Sequence, residues 1–143
     1  MKTSVVLSCL ALFACPAVGR CQAPAIEDVV ADPADYAGRT LVFQGVTLSG
    51  NITRYDLAGV RKYYLTVQTP GRVLEAGFFL APPALADKLY NTMNPRENYT
   101  VNVTCKVEQI SINSIPQWHG IVTAVAFIDG AGRVIETVKL GKK

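Results

Sequence analysis

Between residues 63 and 112 the spacing of the apolar side chains changes twice, from a repeat of two to a repeat near four and back to two. A repeat of two belongs to a strand with one buried face, and a repeat near 3.6 belongs to a helix with one buried stripe. Tyr63, Leu65 and Val67 alternate with Tyr64, Thr66 and Gln68, and Leu74, Ala76, Phe78 and Leu80 alternate with Glu75, Gly77 and Phe79. Thr69, Pro70 and Gly71 between the two runs supply a hairpin turn. The alternation sends Tyr64 and Phe79 outward. Leu85, Leu89 and Met93 then fall on one helical stripe behind Pro82 and Pro83, which predicts a helix from Pro83 to Thr92. Val101, Val103, Cys105 and Val107 restore the alternation, and a change of phase to Ile110 and Ile112 predicts a β-bulge near Glu108 and Gln109. Cys105 shares the parity of the valines and should face the core.

The flanks extend this pattern. Ile26, Val29 and Val30 are helically spaced before Asp32-Pro33, and Gly38 follows as a turn residue, so residues 20–37 read as a terminal segment with a short helix lying against a sheet. "TLVFQGVTLSGNI" reads as a first strand that bends or bulges at Gly45. Residues 53–62, "TRYDLAGVRK", read as a polar connection. After "NSIPQW" comes "HGIVTAVAFID", apolar on both sides, then Gly130, Gly132 and a last strand-like "RVIETVKL". The chain is 143 residues long and half apolar, enough for one domain with a real core, here residues 38–143.

The start, "MKTSVVLSCLALFACPAVG", sets Lys2 before an apolar run and ends in small residues, the layout of a secretory signal over residues 1–19. The protein is therefore expected to be exported, periplasmic or secreted, with lipoprotein processing at Cys15 as the alternative. The apolar run is too short to span a bilayer, and no later one is longer, so no transmembrane segment is expected in the mature chain. Of four cysteines, Cys9 and Cys15 lie in the signal, leaving Cys21 and Cys105 either bonded or free. Their spacing offers no zinc or redox motif, and no metal or cofactor is expected. A formal charge of +3, with no block of Lys or Arg, argues against strong electrostatic binding of polyanions. Three sequons, at Asn51, Asn98 and Asn102, matter only in a glycosylating host. The single histidine, His119, has no carboxylate near it in sequence, and no catalytic motif is present, so the chain reads as non-catalytic, with His119 exposed or capping a loop.

Three strands, a helix and two strands is the order of the OB-fold, a five-stranded Greek-key barrel whose third and fourth strands are bridged by a helix. Residues 38–129 resemble that superfamily. "YYLTVQTPGRV" behind a signal is similar to exported bacterial OB-fold proteins, and "DPADYAGRTLVFQGV" to OB domains grouped with anticodon-binding ones. An SH3-like barrel or β-sandwich is the alternative fold. The resemblance implies a binding surface of Tyr64, Thr66, Glu75 and Phe79, with Arg54, Arg61 and Lys62 on one rim and Gln117, Trp118 and His119 in a loop on the other. It implies a binding or envelope-associated module for a small or oligomeric ligand or a protein. A module for single-stranded nucleic acid or oligosaccharide is the alternative. Trp118, the single tryptophan, is expected to anchor one end of the barrel, and His119→Ala to cost little stability.

Overall fold

The computed structural model describes residues 23–57, 59–69 and 74–141. The expected signal, its lipoprotein alternative and Cys21 lie outside them. The described chain is mostly β-sheet. Helix α1 (Ile26–Ala31) and a 3-10 turn (Pro33–Tyr36) lead into β1 (Thr40–Ser49), β2 (Thr53–Leu57), β3 (Val60–Gln68) and β4 (Leu74–Ala81). Helix α2 (Pro83–Thr92) follows, then β5 (Asn98–Ile112), β6 (Ile115–Ile128) and β7 (Val134–Lys139).

The sheet order is β1-β5-β6-β4-β3-β2, with β7 on β6. It turns back on itself because the end of β1 also pairs with the end of β3, through Thr47 opposite Gln68 and Leu48 opposite Val67. A strand reaches two neighbours this way only if it bends, and Gly45 provides the bend. It has φ 65°, the register of β1 against β5 slips between Phe43 and Val46, and its N–H donates to Asn102 Oδ1 at 3.0 Å. The inward face of β1 therefore changes parity, from Leu41 and Phe43 to Val46 and Leu48, all four buried.

Three readings need correction. Residues 53–62 are not a connection: they are β2 and the start of β3, paired as a hairpin from Thr53 opposite Tyr64 to Leu57 opposite Val60. Their charges had suggested a loop, but they sit on an exposed ribbon, where Arg54 and Arg61 both reach Asp56, at 3.8 and 3.4 Å. The register of β5 against β6 slips where Thr104 opposes Ala124 and Cys105 opposes Val122, which leaves Thr123 of β6 as the extra residue; Glu108 and Gln109 carry no bulge and pair in register with His119 and Trp118. The "IPQWHG" stretch is strand rather than loop, because β5 and β6 form a long hairpin closed by Asn113 and Ser114. Both turn residues have positive φ, 52° and 64°, as a two-residue type I′ turn demands.

Inside the sheet, Val101, Val103, Cys105 and Val107 of β5 and Val122 and Val125 of β6 are fully buried. Helix α2 adds Leu85, Ala86 and Leu89 to the same core. Helix α1 adds Ile26 and Val29, and its continuation is fastened to β5 by Gly38 N–H to Val107 O and Val107 N–H to Arg39 O, at 2.7 and 3.1 Å. Each such aliphatic side chain contributes about 1.5–3 kcal/mol by leaving water. The N-terminal segment is thus packed against the strands.

Candidate functional site

β4 and β6 run parallel, and their register contains only Phe79 opposite Gly120 and Leu80 opposite Ile121. Gly120 permits this approach. A Cβ there would lie 2.9 Å from Phe78 Cε1 and 3.0 Å from Cys105 Sγ. One residue earlier β6 carries His119 and then Trp118, and the strands no longer pair. The space between them is a cleft of about 320 Å³, lined by Glu75, Gly77 and Phe78 of β4 and by Gln117, Trp118 and His119 of β6. Val30 of α1 and Pro33 complete its wall. This cover explains how Phe78 and Phe79, neighbours on opposite faces of one strand, are both buried.

His119 is 4% exposed, against the expectation of an exposed or capping side chain. Its Nδ1 donates to the Phe78 carbonyl at 3.2 Å, because a carbonyl can only accept. Nε2 must then carry the lone pair, and it is buried with no hydrogen-bond partner among the described residues. Burial lowers the imidazole pKa below its ordinary value. The carbonyls of Phe78 and Gly77 oppose that shift, and the charge of Lys62 adds to it. The ring stays neutral at neutral pH. Tyr64 packs against it edge-on, with centroids 6.1 Å apart, and Tyr55 packs against Tyr64 at 5.4 Å. Burial, and then the neighbouring Tyr55, push the Tyr64 phenol up.

The structure divides the ten residues read as a site. Glu75, Gln117, Trp118 and His119 come together at the cleft. Tyr64 is buried behind His119 and does not face outward, and Lys62 is half-buried. Phe79 is not a surface residue at all: it is fully buried in the core, edge-on to Phe43 at 5.7 Å. Thr66 is half-buried on β3, and Arg54 and Arg61 sit on the exposed β2–β3 ribbon, held to Asp56. Sequence reasoning missed Val30, Pro33, Gly77 and Phe78 as lining residues. Val30 and Pro33 had been legible only as a helix and its stop.

Cys105 is a buried free thiol whose pKa burial pushes up to about 12. It is protonated and shielded, and so a poor nucleophile. Among the described residues no group of three metal-binding side chains gathers, and no helix is long and apolar enough to cross a membrane. No family model, curated protein or solved structure matches the chain.

Proposed function

We propose that the protein is an exported, non-catalytic binding module on an OB-like barrel, and that its ligand site is the cleft between β4 and β6. The barrel reading is supported by the circuit β1–β3–β4–β6–β5–β1, which holds one parallel pair, with α2 between the third and fourth strands of the circuit in chain order. Strands β2 and β7 are then additions to that frame. Export rests on the layout of residues 1–19.

The observation that carries the binding reading is a concave site of about 320 Å³ in which Glu75 and Gln117 stand beside the single tryptophan. Binding is favoured over turnover because Nδ1 is held by a backbone carbonyl rather than a carboxylate, and the thiol is protonated. Polyanion binding is disfavoured because two of the three rim cations already face Asp56. Incubation with oligosaccharide and oligonucleotide pools at low and moderate salt tests this reading. It predicts saturable binding with a shallow salt response, and a steep salt dependence with oligonucleotides would reverse it.

A further inference from the structure

β2 is the last strand of the sheet: it pairs with β3 on one side, and no strand among the described residues pairs with its other side. Leu57 and Val60 close a two-residue hairpin link, so they exchange both main-chain hydrogen bonds, and with the alternation of the ladder so do Tyr55 with Lys62 and Thr53 with Tyr64. The N–H and C=O groups of Arg54 and Asp56 therefore point away from β3, along an edge where Arg54, Tyr55 and Asp56 are all exposed. We propose that a second copy of this chain pairs with that edge, antiparallel and centred on Tyr55, so that two β2–β3 hairpins join into one continuous ribbon.

Pairing geometry and charge select this occupant and this register. Residues directly opposite in an antiparallel pair share a face, so a two-fold axis across the edge passes through a residue position and not between two. A centre at Arg54 sets that guanidinium against its own copy, and a centre at Asp56 does the same with carboxylates; both oppose like charges. A centre at Tyr55 sets Arg54 opposite Asp56 of the second copy and Asp56 opposite its Arg54. These are the residues whose main-chain groups face the edge, so the register that matches the charges also makes the hydrogen bonds. Within one chain Asp56 already takes Arg61 at 3.4 Å, with Arg54 at 3.8 Å. Across the edge each carboxylate comes to lie between two guanidinium groups, one from either chain. On the other face Tyr55, 53% exposed, gains the opposing Tyr55 as cover.

None of these residues lines the β4–β6 cleft, so the dimer stands or falls apart from ligand binding. An edge of 5 residues is short, and the dimer is accordingly weak and needs concentrated protein. Sedimentation equilibrium of the full chain from about 5 μM to about 1 mM tests it, beside amide exchange at Arg54 and Asp56 over the same range. The expected result is a mass that rises from monomer toward dimer while those two amides become protected. Arg54→Asp opposes carboxylates and Asp56→Arg opposes guanidinium groups, so each variant alone should associate roughly tenfold more weakly, whereas Glu136→Gln on β7 should match the parent. Mixed one to one, the two variants oppose acid to base on both sides of the axis and should recover association as a heterodimer. Asp56→Arg also faces Arg61, and where that variant does not fold, Arg54→Asp decides against Glu136→Gln. A parent that stays monomeric at about 1 mM leaves the edge to a different chain and overturns the proposal. So do single variants that associate as the parent does, or a mixture no stronger than its components.

Discussion

At the scale of single residues, His119 and Trp118 hold adjacent positions on β6, the first buried and the second half-buried. Trp118 is half-buried against the core, so Trp118→Ala should destabilise the fold by about 2 kcal/mol, read as a lower melting midpoint. His119→Ala, which the sequence alone made nearly free, should cost about 1–2 kcal/mol, since the ring is buried and bonded to Phe78. The same burial gives a pH signature. The unfolded chain takes up a proton as pH falls through the ordinary histidine pKa near 6.5, and the folded chain, its pKa lowered, resists. The unfolded state binds more protons in that window, so stability is full above pH 6.5 and declines below it. Denaturant midpoints at pH 7.5 and 5.5 should differ in the parent and converge in His119→Phe. Cys105 should resist alkylation until denaturant is added, as a buried thiol with a pKa near 12 must.

At the scale of elements, the β5–β6 hairpin carries the site, because its register fixes which side chains meet β4. Asn113 tolerates a left-handed backbone better than Ser114, which holds φ 64° with a Cβ. Ser114→Gly should therefore raise stability by roughly 0.5 kcal/mol, a gain of about 1–3 °C in the melting midpoint measured calorimetrically. The limits of sequence reading also lie at this scale. Helix α2 was legible from Leu85, Leu89 and Met93, and the bend at Gly45 from a glycine inside a β-rich run. The β2–β3 ribbon was not, because charged residues on an exposed ribbon look like a loop until the partner strand is known. Phe79 was placed outward because alternation alone cannot reveal a strand covered on both faces, and here α1 covers the second face.

At the scale of the molecule, the cleft exists because a parallel pair inside an otherwise antiparallel sheet is short, and Val30 and Pro33 line one wall of what the strands leave open. Four of the ten residues read as a surface from sequence meet at this seam, and the exposed arginines lie elsewhere on the β2–β3 ribbon. The resemblance to OB-fold domains implied one surface with Arg54, Arg61 and Lys62 on one rim and Gln117, Trp118 and His119 on the other, and only the second rim borders the cleft. Only three-dimensional pairing shows that β4 and β6 part company just before Gly120, and that Val30 and Pro33 reach across. Entry of ligand between β4 and β6 is tested most directly by mapping amide chemical shifts across the full chain as the oligosaccharide pool is added. The largest changes are expected at Gly77, Phe78, Gln117, Trp118 and His119, with the β2–β3 ribbon unmoved. Changes gathered instead on Arg54, Arg61 and Thr66, with the cleft amides still, would contradict it.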